Sequence, residues 1–164
     1  MVSLPYKISV LLYVRNTRGS FLLLKRRKQP NLGLWSGIGG KLEMDTGESP
    51  FECAIREARE EAGLILCEKD LHLFGMVAEK NYESANHWLM FLFDCKKRMV
   101  NLPRNIPEGD FDFHSPDAIN HISVPETDRK ALWPAYFKYR HRFVSIRADC
   151  SPDSDIRITI EEIY

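Results

Sequence analysis

Runs of apolar residues predict the strands of this protein. Residues 8–14 are apolar apart from one serine, which is typical of a strand covered on both faces. The turn-forming residues 16–19 lead into the apolar residues 21–24, and together they predict a hairpin. Two further strands are predicted over residues 71–79 and 87–95, and the continuous apolar run in the second favours a central position in the sheet.

Backbone breakers and capping residues separate a loop from the first helix. Five glycines and a proline lie within residues 29–47, too many for a regular element, so we predict a functional loop there. Directly after it, Ser49 caps a predicted helix that has Pro50 at its first position and Glu52 three residues after the cap. Gly63 is expected to end this helix.

The last third of the chain predicts one helix and one hairpin. Residues 101–117 are polar and contain several prolines, which indicates a long loop. A second helix is predicted from residue 125 to about residue 140, with Pro134 as a site of kinking or breakage. Residues 142–146 and 156–160 then predict a terminal hairpin with one face in water, because apolar and polar residues alternate in its second strand.

The composition is that of one globular domain. The chain has 164 residues, of which 44% are hydrophobic and 28% charged, enough for a single core. Its 23 basic residues balance 23 acidic ones, which argues against a nucleic-acid polymer or an anionic membrane as partner. The charges are nevertheless segregated, because residues 1–42 carry eight bases and no acid, and residues 43–79 carry ten acids and three bases. A small polyphosphate needs only such a local charge pattern.

Cysteine spacing and hydropathy predict a cytoplasmic protein. The four cysteines are far apart and form no Cys-x-x-Cys pair, so we expect reduced thiols and neither a zinc site nor a disulfide framework. The apolar run near the start is too short to span a bilayer. It also lacks the basic leader and the cleavage site of a signal peptide.

Three glutamates on the first predicted helix are candidates for binding a metal. At about 100° per residue, Glu57, Glu60 and Glu61 fall within one arc of the helix, where their charges repel each other. Carboxylate oxygens suit Mg²⁺ or Mn²⁺. The alternative is a solvated face with Arg56 and Arg59 as counter-ions. The glycine-rich loop before the helix favours the metal, because glycine lets the backbone approach a metal or a phosphate closely.

Loop and helix together resemble the Nudix box, whose usual form is G-x5-E-x7-REUxEExGU with U apolar. The resemblance covers residues 40–64, and the matching residues are Gly40, Glu48, Arg56, Glu57, Glu60, Glu61, Gly63 and Leu64. The segment departs from the pattern in one respect, since seven residues and not five separate Gly40 from Glu48. The resemblance implies an α+β fold, an α/β/α sandwich with a mixed β-sheet between helices, as a single domain over residues 1–164.

The same resemblance implies a hydrolase that uses a divalent cation. Its substrate would be a nucleoside diphosphate linked to another moiety. Water would attack a phosphorus atom while Mg²⁺, or alternatively Mn²⁺, neutralises the phosphate oxygens. The implied metal ligands are Glu57, Glu60 and Glu61, with the carbonyl of Gly40 as a further one. Arg56 would orient these glutamates by salt bridges.

Two further carboxylates have secondary roles under this resemblance. Glu48 would influence the metal site without binding the metal directly. Relatives often take the general base, or a further metal ligand, from a glutamate in a later loop. Glu108 is the candidate here, because residues 110–113 resemble the short strand found there. The alternative for Glu108 is a solvated loop acid.

The end of the chain is similar to the branch of the family that hydrolyses oxidised purine nucleoside triphosphates such as 8-oxo-dGTP. Phe113, Asp117 and Trp133 are candidates for its base pocket, by stacking and by reading the base edge. The alternative is that the aromatic residues are part of the core. Three basic residues that border the loop either hold the phosphates or form a solvated strand edge. These residues are Lys25, Arg26 and Lys41.

The expected reaction releases a monophosphate and pyrophosphate from an oxidised purine nucleoside triphosphate. Ordinary nucleoside triphosphates, ADP-ribose and dinucleotide polyphosphates remain alternative substrates. A module that binds a nucleotide without turning it over is the alternative from another class, and only the two-residue insertion in the box supports it. We expect a monomer or a homodimer that binds a small nucleotide, with no nucleic-acid polymer and no membrane as partner.

Overall fold

The computed structural model describes residues 3–164, which form nine strands and two α-helices together with short helical segments. The strands are β1 (Tyr6–Tyr13), β2 (Phe21–Arg26), β3 (Trp35–Ser36), β4 (Ile38–Lys41), β5 (Leu71–Tyr82), β6 (Asn86–Cys95), β7 (Gly109–His114), β8 (Val144–Asp149) and β9 (Arg157–Ile163). The helices are α1 (Pro50–Ala62) and α2 (Trp133–Tyr139), and 3-10 helices cover Met44–Thr46, Glu68–Asp70 and Asp117–Asn120. No helix in this part of the chain is both long enough and apolar enough to cross a bilayer.

The strands form two sheets. A six-stranded sheet has the order β4-β1-β6-β5-β8-β9, and a three-stranded sheet has the order β3-β2-β7. In the larger sheet, β1 runs parallel to β6 and β5 runs parallel to β8, whereas the other neighbours are antiparallel. The sheet is therefore mixed, and β6 lies in its interior, as its apolar sequence predicts.

Both faces of the larger sheet are covered, as the side chains of β1 show. Val10 and Leu12 pack with the alanines of α1, whereas Leu11 and Tyr13 pack with residues of α2. Because successive side chains of a strand point to opposite faces, the two helices lie on opposite sides of the sheet. The predicted strand with two buried faces and the predicted α/β/α sandwich are both confirmed.

The glycine-rich segment 29–47 is not the irregular loop that its breakers predict. It contains β3, β4 and a 3-10 helix. β4 runs antiparallel to β1 at the edge of the sheet, where Gly39 lies opposite Leu11. A Cβ atom on Gly39 would lie 2.1 Å from the carbonyl oxygen of Val10. The glycines therefore serve a close approach of two strands, which the local pattern alone does not reveal.

The predicted loop over residues 101–117 also contains a strand. β7 pairs antiparallel with β2 and includes the short strand expected at residues 110–113. Gly109 begins this strand, and a Cβ atom on it would lie 2.1 Å from the carbonyl oxygen of Lys25. The loop prediction is therefore wrong for the second half of the segment.

The second helix is continuous and contains one wide turn. Helical structure covers residues 126–139, close to the predicted range, but Asp128–Leu132 form a π-helical turn. Trp133 donates its N–H to the carbonyl of Asp128, five residues earlier. Because Pro134 has no N–H and its ring crowds the carbonyl of the preceding turn, a wider turn before it lets the helix continue.

The predicted terminal hairpin is present as β8 and β9. Buried and partly exposed residues alternate along β8, as expected for one core face. β9 differs from this expectation, because it is exposed along nearly its whole length. The reason is its place at the outer edge of the sheet, where no further strand covers it in residues 3–164.

A buried polar cluster ties α2 to the sheet. Asp94 on β6 is 5% exposed and accepts hydrogen bonds from Arg15 at 3.0 Å and from the hydroxyl of Tyr136 at 2.7 Å. Burial, followed by the charge of Asp94, raises the pKa of Tyr136 well above its usual value, so the hydroxyl stays a donor. The cluster fixes α2 against the centre of the sheet.

The substitution Tyr136→Phe is expected to lower the free energy of unfolding by about 1–3 kcal/mol, because it removes a donor from a buried carboxylate. Urea unfolding measures the change. The matched control is Tyr139→Phe, on the same helix, whose side chain is only partly buried. Equal stability of the two variants would contradict a role for the Tyr136 hydroxyl.

Candidate active site

One cavity of about 460 Å³ extends over the sheet face that α2 covers and reaches the edge strand β4. Residues of β1, β4, β5, β6 and α1 line it together with the loop after β2 and the residues just before α2. Its acidic side chains fall into two groups. The first group is Glu57, Glu61 and Glu108, and the second is Glu79 and Asp128.

The positions of Glu57 and Glu61 depend on how α1 begins and ends. Ser49 and Glu52 form the predicted capping box, Pro50 is in the first turn, and Gly63 ends the helix with a φ of 62°. The alanine face of the helix packs against β1 and β4. The glutamate face is therefore directed along the edge of the sheet, toward the cavity.

Arg56 holds the glutamates of this region in place. Its Nε and Nη2 atoms donate to the two carboxylate oxygens of Glu48 at 2.7 and 2.9 Å. Its Nη1 donates to Glu57 at 2.8 Å and to Glu60 at 3.2 Å, and Nη2 also donates to the carbonyl of Lys41 at 3.1 Å. The guanidinium lowers the pKa of Glu48 to about 2, so Glu48 is ionised and committed to Arg56.

Glu57 and Glu61 are the two carboxylates of α1 that reach the cavity. Glu61 accepts a hydrogen bond from the N–H of Gly39 at 3.2 Å. Burial, followed by the charge of Glu57, raises the pKa of Glu61 to about 7, and burial also raises the pKa of Glu57. A Cβ atom on Gly40 would lie 2.1 Å from Glu57 Oε1, so a larger residue at position 40 would displace this carboxylate from its present place. Two partly buried carboxylates so arranged are oxygen donors that fit a hard divalent cation.

The third predicted ligand, Glu60, lies outside the cavity. Its side chain is 53% exposed and is bonded to Arg56. Within residues 3–164, no three His, Cys, Asp or Glu side chains are grouped closely enough to hold a metal ion. The structure therefore brings Glu57 and Glu61 together in the cavity, and Glu60 remains on the side of Arg56.

The two glycines of β4 have different partners. Hydrogen-bonded pairs alternate along β1 and β4, and Gly40 forms one with Val10. Its carbonyl also lies 3.7 Å from the donor Sγ of Cys53. Gly39 directs its N–H away from β1 and toward Glu61, and the carbonyl of a strand residue points the same way as its N–H. The backbone N–H and carbonyl that face Glu61 are thus those of Gly39, one residue before the predicted Gly40, whose Cα lies beside Glu57.

Two of the three predicted phosphate-binding cations line the cavity. These are Arg26 and Lys41, whereas Lys25 is exposed elsewhere on β2. Neighbouring residues of one strand face opposite sides, so Lys25 and Arg26 do not both face the cavity. Lys7, which the sequence patterns did not predict, also lines the cavity, and its Nζ lies 5.4 Å from the ring centre of Trp88.

Glu108 lies directly before β7 and lines the cavity. Its charge contributes to the raised pKa of Glu61, after burial and Glu57, which indicates that these carboxylates are neighbours. Lys28 Nζ lies 3.9 Å from Glu108 Oε1. The structure therefore brings the predicted general base to the same end of the cavity as the carboxylates of α1.

The predicted base pocket is not assembled. Phe113 packs against the core cluster beneath α1, whereas Trp133 is 5% exposed in the cluster on the opposite face of the sheet. Trp133 contacts Tyr13 and Phe21 edge-on, with ring centres 4.9 and 4.8 Å apart. Asp117 is exposed, and none of the three predicted residues lines the cavity. Trp133 is a core residue and Phe113 is a partly buried residue packed against the core, which is the alternative that their aromatic character leaves open.

Two buried acids at the other end of the cavity were not predicted. Glu79 on β5 is 2% exposed, and burial raises its pKa to about 7, while a hydrogen bond to Thr127 has the opposite effect. Its Oε1 has no hydrogen-bond partner among residues 3–164. Asp128 lies nearby, and burial together with the charge of Glu79 raises its pKa. Glu79 is two residues after the buried Val77 on the same strand, so both side chains lie on one face of the sheet. This alternation was the signal in the sequence that could have indicated a buried acid.

Known proteins share the sequence pattern of this chain. The family model described as the NUDIX domain matches residues 5–138. The chain belongs to the NUDIX family. An uncharacterized Nudix hydrolase of Bacillus subtilis (strain 168), YvcI, is 28% identical over 120 residues, which are 73% of each protein.

Solved structures share the NUDIX fold of this chain. The MutT protein from Bacillus halodurans aligns with a TM-score of 0.76 at 21% identity, over 94% of this chain and 97% of that one. The MutT protein from Methanosarcina mazei Go1 aligns with a TM-score of 0.69 at 27% identity, over 84% and 99%. NUDIX hydrolases generally use divalent metals, and this chain is a hydrolase acting on pyrophosphate bonds. The family, the fold and the class of enzyme expected from the box are confirmed.

The NUDIX box accommodates its two additional residues as a turn. Met44–Thr46 form a 3-10 helix that ends at Gly47 with a φ of 69°. Glu48 then accepts a hydrogen bond from the N–H of Glu43 at 2.8 Å and still reaches Arg56 with both oxygens. The insertion therefore leaves the connection between Glu48 and Arg56 intact.

The substitution Glu79→Gln is expected to stabilise the protein at alkaline pH. Because the pKa of Glu79 is raised from 4.5 to about 7, folding disfavours its ionised form, and stability falls as pH rises through this interval. Glutamine does not ionise, so the free energy of unfolding should rise by about 1–3 kcal/mol above pH 7 and be unchanged below pH 4.5. Urea unfolding across pH measures both limits.

The control for this prediction is Glu68→Gln, at an exposed position in a 3-10 helix, which should leave the pH dependence unchanged. A loss of stability in Glu79→Gln at every pH would show that Glu79 acts only as a charged partner and would contradict the expected gain.

Proposed function

We propose that this NUDIX hydrolase cleaves an oxidised purine nucleoside triphosphate, such as 8-oxo-dGTP, to the monophosphate and pyrophosphate with Mg²⁺ or Mn²⁺. One observation carries the proposal. A single cavity has carboxylates suited to a divalent cation at one end and two buried acids suited to a base edge at the other. The polyphosphate and the base of one nucleotide would occupy these two ends.

The cation would be held by Glu57 and Glu61 at the edge of the sheet. Both carboxylates are partly buried and close enough for the charge of Glu57 to raise the pKa of Glu61, and this repulsion is relieved by a positive ion. Bound there, Mg²⁺ supplies charge neutralisation of phosphate oxygens and a more acidic water. Glu60 and the backbone of β4 would complete the ligand set once the Arg56 contact rearranges.

The remaining groups at this end have roles in the displacement. The oxygen of a water molecule attacks phosphorus, the bond from phosphorus to the leaving pyrophosphate breaks, and the proton of the water passes to Glu108. Arg26 and Lys41 line the same cavity and would bind the phosphate oxygens. Arg56 holds Glu57 at 2.8 Å and therefore acts as a positioning residue.

Glu79 and Asp128 would read the base. Their raised pKa values mean that either group keeps a proton more readily than an ordinary acid, so it can donate as well as accept a hydrogen bond. An oxidised purine presents both donors and acceptors on its edge. The free Oε1 of Glu79 is a buried acceptor in need of such a partner.

Other substrates of the family define the competing outcomes. The NUDIX domain of Shewanella oneidensis NrtR shares the fold and was crystallised with ADP ribose, and a C. elegans protein of this fold is named an Ap4A hydrolase. Both are under 25% identical to this chain and support the fold alone. The proposed preference for an oxidised purine rests on Glu79 and Asp128. A comparison of rates on different nucleotides tests it directly.

The substitution Glu61→Gln is expected to lower kcat by about a hundredfold or more, because it removes a metal-binding carboxylate. Release of pyrophosphate with Mg²⁺ measures the rate, and circular dichroism checks the fold. Glu68→Gln, away from the cavity, should retain full activity. Wild-type turnover by a folded Glu61→Gln variant would refute the proposed metal site.

The substitution Asp128→Asn is expected to lower kcat/KM for an oxidised purine triphosphate by about 10- to 100-fold and to change it less for a pyrimidine triphosphate. The same rates are measured on ordinary purine triphosphates, ADP-ribose and a diadenosine polyphosphate. The matched control is Asp117→Asn, since Asp117 is exposed and outside the cavity. A wild-type preference for ADP-ribose, or an equal loss on every substrate, would overturn the base assignment.

A further inference from the structure

The outer strand β9 leaves one edge of the larger sheet unpaired. In residues 3–164, β9 pairs only with β8, on the opposite side of the sheet from β4. Six of its seven residues are exposed. In an antiparallel pair, alternate N–H and C=O groups point away from the partner strand, so the outer side of β9 presents unpaired backbone groups. Such an edge is a template for a further strand.

Residues 157–160 of β9 form a regular edge, although the strand also carries the charged residues Arg157, Glu161 and Glu162. Natural edges are guarded by charged side chains, especially lysine, by proline or by bulges, and residues 157–160 contain no lysine and no proline. The register shift in its pairing with β8 comes only after Ile160. Ile158 is partly buried against the core cluster of the α2 face, and Ile160, which alternation places on the same face, is 41% exposed. The edge therefore offers apolar side chains as well as free backbone groups.

The charges of β9 lie on the other face of the sheet. Arg157 is 77% exposed and lies 3.6 Å from Asp149, and Glu161 accepts a hydrogen bond from Ser145 at 3.1 Å. Thr159 lies between them and pairs with Arg147. One exposed positive charge and one exposed negative charge thus flank a small central residue along the same face.

The side chains of one β9 strand complement those of a second β9 strand that runs in the opposite direction. When two β9 strands run antiparallel with Thr159 at the two-fold axis, Arg157 of one copy faces Glu161 of the other, and Ile158 faces Ile160. Each of these pairs occurs twice because of the symmetry. Opposite charges and matching apolar side chains are the cross-strand pairs that stabilise antiparallel sheets.

We propose that two copies of this chain join through β9, antiparallel and centred on Thr159, so that their larger sheets form one continuous sheet. The partner is a second copy because the charge order fits itself in this register and no other sequence is required. The catalytic residues lie at the opposite edge of the sheet, beside β4, so both cavities stay open in the dimer.

Charge reversal tests the register. The variants Arg157→Glu and Glu161→Arg each place like charges opposite each other, and each should weaken self-association by about tenfold or more. Mixed in equal amounts, the two variants should associate with each other, because every pair across the axis then has opposite signs. The double variant R157E/E161R should dimerise as the unchanged protein does. Sedimentation velocity over a concentration series measures all four samples.

The matched control is Arg104→Glu, a reversal at an exposed position outside the strands, which should leave self-association unchanged. Circular dichroism checks that every variant is folded. A protein that stays monomeric up to millimolar concentration overturns the proposal. A dimer that is insensitive to both single reversals overturns it too, as does a mixture of the two variants that fails to associate.

Discussion

The guanidinium of Arg56 is the interaction on which the site depends. It joins α1, the turn after β4 and the backbone of β4, because its three nitrogens donate to Glu48, Glu57, Glu60 and the carbonyl of Lys41. The side chain is 17% exposed, so loss of any partner would leave a donor with little access to water. The helix and the edge strand are thereby held as one unit, with the glycines of β4 providing the space in which the carboxylates fit.

The carboxylic acids at the two ends of the cavity are compensated for their loss of water in different ways. Beside α1, the negative charge of Glu57 is partly offset by Arg56, and that of Glu61 by the N–H of Gly39. At the far end, Glu79 and Asp128 form no salt bridge within residues 3–164, and burial instead shifts their equilibrium toward the neutral acid. One end thus attracts positive charge, and the other favours neutral groups that exchange hydrogen bonds.

Elements defined by local signals were predictable from the sequence. Ser49, Pro50 and Gly63 fix the ends of α1 within a few residues, so the helix and its glutamates followed from the sequence directly. β4 was missed because its glycines form a strand only through pairing with β1, far away in sequence. Strand identity in such a segment depends on non-local contacts that no local pattern contains.

The structure does not bring the predicted base-pocket residues together, and the reason is related. The indole of Trp133 is suited to stacking on a base, but its position on the helix directs it into the core, where it contacts Tyr13. In the sequence, Asp128 resembles an ordinary acid in the first turn of a helix, where its negative charge would interact favourably with the helix dipole. Only the packing of that turn over β5 shows that it is buried beside Glu79. Residue type indicates the chemistry that is available, and burial decides which residue uses it.

The division of the molecule into two core clusters has a consequence for its evolution. Residues of α1 belong to one cluster, and residues of the second helix belong to the other, with β1 contributing alternate side chains to each. A substitution beside Asp128 is therefore expected to leave the packing beneath Arg56 undisturbed. Because each end of the cavity rests on its own core cluster, the two ends can change independently among descendants of this chain.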